Sequence, residues 1–170
     1  MRKKITFTIF CIYITSCLGA KEPLIAMLDN IVSNEIQKFG IGNYTFECKT
    51  YGVLTLETLY NSSTAGSICQ KSIDKFYEKN PKLKYYADGI LEYKQQYHIE
   101  IKNRECIVYA KGQVTLSELL LKEGLALKKP MFRDEEFDNY FTLAQRKAKI
   151  EKKGLWSENI STSCVEELYK

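Results

Sequence analysis

Histidine is nearly missing from this chain of 170 residues, the only one being His98. No two cysteines stand at CxxC spacing, so the usual ligand set of a structural zinc site is excluded. There is no internal repeat and no low-complexity linker, which argues against a solenoid or a string of modules. Long apolar runs are lacking too. The one at residues 5–14 is too short for a membrane span. The length suits one domain with a core of its own and is short for two.

That apolar run follows Arg2, Lys3 and Lys4 and precedes the small residues Ser16, Gly19 and Ala20, the layout of a secretory signal. Two cleavage modes fit. Leu18-Gly-Ala20 suits ordinary signal peptidase and gives a signal of residues 1–20. Ile14-Thr-Ser-Cys17 resembles a bacterial lipobox, which gives a signal of residues 1–16 and makes Cys17 the lipidation candidate and the only route to the membrane. The expected location is therefore the periplasm, free or lipid-anchored.

Net charge is scarce once the signal is set aside. Three of the 25 Lys and Arg lie in it, leaving 22 cations against 21 carboxylates. A near-neutral domain has no global pull on nucleic acid, so that partner is not favoured. The cations at 146, 147, 149, 152 and 153 read as a solvated helix face. Cysteine usage agrees with export: beyond Cys11 and Cys17, the set Cys48, Cys69, Cys106 and Cys164 is even, and two disulfides are expected in any of three pairings.

Leu24, Met27, Leu28, Ile31, Val32 and Ile36 recur at three and four, so residues 21–40 are expected to form an amphipathic helix stopped by Gly40. Residues 44–48 and 53–59 alternate around Thr50-Tyr-Gly52 as a β-hairpin. A helix follows from Ile68 to Tyr77 and ends before Pro81. Tyr85, Tyr86, Leu91 and Tyr93 suit a strand. Residues 97–101 and 105–109 form a second hairpin around Lys102-Asn-Arg104, with His98 on an exposed face. The tyrosines of these short strands read as core or rim packing, not as a base-stacking platform.

The last third carries the strongest signals. Thr115 and Glu118 form a capping box, Leu116, Leu119 and Leu120 one apolar face, and Gly124 a left-handed stop. A longer helix has Asp134 as its cap, Phe137, Tyr140, Phe141, Ala144 and Ala148 recurring at helical spacing, and Gly154 at its end. Tyr109-Ala-Lys-Gly112, Lys122-Glu-Gly-Leu-Ala126, Ala144-Gln-Arg-Lys-Ala148 and Gly154-Leu-Trp-Ser157 occur in that order. In these pieces the chain resembles the staphylococcal nuclease (thermonuclease-like) family. The resemblance covers about a third of the chain. It implies an α+β fold with a small antiparallel OB-like barrel, an inserted helix and two closing helices, here preceded by the extra N-terminal helix. The thermonuclease-like domain is expected over residues 41–157 and a tail over 158–170.

The resemblance also implies where catalysis would sit. Family members hold Ca²⁺ with an Asp-Gly-Asp-Thr turn before the second strand, position water and phosphate with an Arg-Leu-x-x-x-Asp-x-Pro-Glu run at the end of the third, and add an arginine before the fifth. Spacing from the matching half puts the first place at Ile41-Gly-Asn-Tyr44, where Asn43 is a weak metal candidate, and the second at residues 54–63, with Thr55, Tyr60 and Ser63 in place of the required residues. Arg104 falls at the third, a weak catalytic candidate. No cofactor is expected unless the chain is a nuclease, which would need Ca²⁺. The leading expectation is an exported, non-catalytic domain that binds or supports an envelope protein, as in a secretion or motility machine. It would dock through the N-terminal helix and the tail. Alternatives are a divalent-metal nuclease with a rearranged site on Arg104, Asn43 and Glu57 or Glu105, and a non-hydrolytic nucleic-acid binder.

Overall fold

A computed structural model describes residues 23–157 and 160–168. The signal, including Cys17, lies outside the described residues. The fold is mixed α+β. Strands β1 (Leu24–Ile31), β2 (Ile36–Ile41), β3 (Tyr44–Lys49), β4 (Val53–Thr55), β5 (Gln96–Lys102), β6 (Glu105–Lys111), β7 (Val114–Thr115) and β8 (Ala126–Lys128) are joined by helices α1 (Leu56–Ser62), α2 (Ile68–Lys79), α3 (Leu116–Lys122), α4 (Asp138–Ile150) and α5 (Ile160–Leu168). The main sheet is antiparallel in the order β3-β2-β1-β5-β6-β7, and β4 pairs with β8 apart from it.

The sheet curls until its ends meet. Thr50, just past β3, bridges in parallel to Cys106 on β6, and the Tyr51 N–H reaches the Cys106 carbonyl at 3.1 Å. Cys48 and Cys106 are joined by a disulfide across this seam. Five strands thus form an OB-like barrel, filled by inward residues such as Leu28, Phe39, Ile99 and Ile107.

The expected N-terminal helix is a β-hairpin. Residues 24–31 and 36–41 pair as β1 and β2, with Ala26 and Leu28 buried and Ile25 and Met27 exposed, the period of two that a strand requires. The apparent helical stripe joined outward Met27 to inward Leu28. The first expected hairpin is also corrected. β3 pairs with β2 through the two-residue turn Gly42-Asn43, and residues 56–59, read as strand, lie in α1 because Thr55 caps it by accepting the Thr58 N–H at 3.2 Å. Residues 81–89 are short 3₁₀ turns, not a strand.

Other elements follow the sequence. α2 begins at the Ser67 cap and stops before Pro81, β5 and β6 form the second hairpin, and Thr115 caps α3. Asn103 and Arg104 both have positive φ (53° and 64°), the two-residue turn that matches strand twist. Asp134 caps the single turn that leads into α4, accepting the N–H groups of Glu136 and Phe137. The expected tail forms α5 from Ile160, tied to α2 by the Cys69–Cys164 disulfide, with Ile160 and Cys164 buried. Among the described residues no helix is long and apolar enough to cross a membrane.

Candidate functional site

Because β1 and β2 occupy residues that were expected to form a helix, the strand count moves by one. The turn before the second strand is Val32-Ser33-Asn34-Glu35, and the third strand is Tyr44–Lys49, running into Thr50, Tyr51 and Gly52. The turn before the fifth barrel strand, β6, is Asn103-Arg104. Asn43 therefore sits at the β2–β3 tip, not at the position of a metal ligand. Thr55 is the α1 cap and Ser63 its C-terminal cap.

The relocated positions are filled by internal bonds. Asn34 is fully buried. Its amide donates to Glu57 Oε1 at 3.1 Å and to the carbonyls of Leu83 and Lys84, and its Oδ1 accepts the Ala87 N–H at 2.9 Å. Asn34 thus pins the loop before β2 to the 3₁₀ turns, a structural duty that uses both amide hydrogens and one lone pair of its oxygen. Glu35 pairs with Lys49 at 2.8 Å. The third strand contains no arginine, and no carboxylate occurs at Thr50, Tyr51 or Gly52.

Beside the end of that strand lies a groove of about 320 Å³, lined by Tyr51, Gly52, Asn103, Glu105, Lys129 and Arg133 among others. Among the described residues, Glu105 is its only carboxylate. One oxygen accepts the Gly52 N–H at 3.2 Å, and the other is paired with Lys129. The Lys49 ammonium is held above its ordinary pKa, first by its hydrogen bond to Glu35, with a smaller contribution from Glu105. Two carboxylates and two lysines thus neutralise one another. Tyr51 donates to Asp134 Oδ2 at 2.8 Å, and its ring packs edge-on against Phe132 and Phe137. Burial, then Asp134, pushes the Tyr51 hydroxyl far above its usual range, so it stays protonated.

Gly52 is the backbone feature that shapes the groove: its φ is +71°, and a Cβ there would strike the Phe132 ring. Arg104 is exposed at the turn tip and makes no hydrogen bond or ion pair with the described residues. Arg104, Asn43 and Glu57 come from three separate turns or helices and share no bond. His98 is exposed opposite Ile25 on β1.

Glu57 turns away from the groove into a cavity between α1 and α2, where Tyr77 donates to its Oε1 at 3.3 Å. Burial is the main cause that raises its pKa, opposed by hydrogen bonds that include those of Tyr77 and Asn34. Sequence reading missed the Glu35–Lys49 and Glu105–Lys129 pairs. Glu35 stands just before β2 and Lys49 ends β3, so the β2–β3 register brings that pair together, whereas Lys129 follows β8, which pairs with β4, and no strand register links it to Glu105. Among the described residues, no three His, Cys, Asp or Glu side chains cluster closely enough to hold a metal ion.

No curated protein matches this chain. The end of β6, the capped α3 and α4 with the turn after it carry the motifs of the resemblance, and they fall within a family match: residues 90–158 match the family model described as Staphylococcal nuclease homologue.

Proposed function

We propose that the chain is an exported staphylococcal nuclease-like domain that does not hydrolyse phosphodiesters and serves as a binding or structural part of a bacterial envelope assembly. The observation that carries the reading is the pairing of Glu35 with Lys49 and of Glu105 with Lys129 where metal and phosphate would have to be held. Ca²⁺ takes six to eight oxygens and draws its affinity from the negative charge of the site. Here each carboxylate would have to lose an ammonium partner before it faced a cation. Both disulfides suit an oxidising compartment. The N-terminal stretch and the tail cannot serve as free docking arms, since both are built into the domain; a partner would meet the barrel or helix surface.

A ligand that binds only the native state stabilises it by RT ln(1 + L/Kd), with L the free ligand concentration, so the melting temperature rises with ligand concentration. The chain from Lys21, both bridges intact, should melt at the same temperature in Ca²⁺, Mg²⁺ and chelator. A Ca²⁺-dependent rise that Glu35→Gln or Glu105→Gln abolishes would mean that the carboxylates do hold metal, and the proposal would fall.

A further inference from the structure

On α4 the buried side is complete: Phe141, Ala144 and Ala148 pack inward. Three apolar side chains on the same helix nevertheless point to solvent, Tyr140 at 57%, Leu143 at 53% and Ile150 at 72% exposure. With Lys147 they fall at intervals of three, four and three, so they form a single stripe along the outside of the helix. Isolated exposed apolar residues need no explanation, but three aligned on one face do.

The stripe is bordered by cations. Arg146 and Lys152 make no ion pair with the described residues, Lys147 meets Glu151 only at 3.8 Å, and Lys149 lies over the Trp156 ring. Lys153 is the cation already taken up, by Glu123 and Glu151. A purely solvated helix would need the charges without Leu143 and Ile150. A nucleic-acid face would use the cations but give the aliphatic side chains nothing to bury, because phosphates and sugars line the backbone. An anionic bilayer surface answers both halves: aliphatic side chains enter the boundary between headgroups and acyl chains while long basic side chains extend to the phosphates.

We infer that the outer face of α4, through Leu143, Ile150, Arg146 and Lys147, is a docking surface for an anionic lipid bilayer. The helix of 13 residues is about 20 Å long, enough to lie along the interface and too short to cross it. This inference does not depend on whether the domain is catalytic, nor on lipidation of Cys17.

The test is co-sedimentation of the chain from Lys21 with sucrose-loaded vesicles at about 0.1 M salt. Every described element and both bridges lie within residues 24–168, so this chain keeps them. Vesicles of phosphatidylcholine alone are compared with vesicles containing about one-third phosphatidylglycerol. Binding is expected to the anionic vesicles only. Two variants are measured beside it, Leu143→Ser with Ile150→Ser and Arg146→Glu with Lys147→Glu. Each should weaken partitioning by roughly tenfold or more while leaving the melting temperature unchanged, as expected at exposed positions. No binding to anionic vesicles overturns the inference. So does binding that is lost with the charge reversal but untouched by the serine pair, and equally strong retention on duplex DNA with that same pattern would reassign the face to nucleic acid.

Discussion

Gly124 and Gly154 lie backbone against backbone, and the Gly124 carbonyl accepts the Leu155 N–H at 2.8 Å. Both have positive φ, and a Cβ on either would strike the other segment's main chain. The end of α3 and the end of α4 are thereby locked together, which explains why glycine recurs in both motifs. Gly124→Ala or Gly154→Ala combines left-handed strain with a backbone clash, and each should cost at least about 2 kcal/mol. Urea unfolding checks this; an unchanged midpoint would mean that the backbones separate freely.

The Cys48–Cys106 bridge closes a span of 58 residues at the barrel seam, and Cys69–Cys164 closes 95 residues to hold α5 on α2. Loop-closure entropy gives about 4 kcal/mol for the first and about 5 kcal/mol for the second, as upper figures. The denatured, unreduced chain from Lys21 should show no free thiol, and reduction should lower its stability by several kcal/mol. Four titratable thiols in freshly purified exported protein would contradict the pairing.

Glu57 makes stability depend on pH in a particular direction. Burial raises its folded pKa above the unfolded value, so its contribution is complete below the unfolded value and falls away as pH rises through the folded one. The neutral Glu57→Gln should flatten the stability profile above about pH 4, the ordinary glutamate range. Asp134 acts in the opposite sense. Burial pushes its pKa up, but Tyr51, two backbone N–H groups and Lys102 outweigh it and lower the value. Its contribution is present above the unfolded value and is lost as pH falls through the folded one. A Glu57→Gln profile as steep as that of the parent would show that another group carries the dependence.

The features legible in the sequence were those decided within one or two turns of chain. Thr115 caps α3 and Gly124 stops it through their immediate neighbours, and β5 and β6 are joined by a two-residue turn, so periodicity and turn chemistry suffice. The seating of Gly124 on Gly154, thirty residues apart, is not local, and the left-handed residue that stops α4 is Lys152. Residues 24–41 failed because β1 is stabilised by β5, some seventy residues away, while its outward Met27 beside the inward Leu28 imitates part of a helical stripe. That error carried into the site. With β1 and β2 read as helix, Asn43 was set where Asn34 and Glu35 belong. Thr55 could have been found, since Thr55 to Thr58, with Leu56 and Leu59 after it, is a cap followed by an apolar face. Lys129 could not, because nothing local links it to Glu105.

If Cys17 is acylated, Cys17→Ser should move the protein from the membrane fraction to the soluble periplasm. Each buried methylene of an acyl chain contributes roughly 0.8 kcal/mol of retention. The α4 face alone should hold only a salt-sensitive remainder. A parent protein that is already soluble, with Lys21 as its first residue, would establish ordinary cleavage.

The most direct measurement is hydrolysis of DNA and RNA by the chain from Lys21, with Ca²⁺, Mg²⁺ and chelator side by side. Loss of one preorganised charge at a transition state costs on the order of 10²–10³ in rate. Here the third strand lacks its arginine, Asn34 is buried in structural bonds, and Glu35 and Glu105 are paired with lysines. The predicted result is cleavage indistinguishable from the chelated control in every metal. Metal-dependent cleavage that disappears in Arg104→Ala would contradict the account and show that a working site has been assembled around that turn.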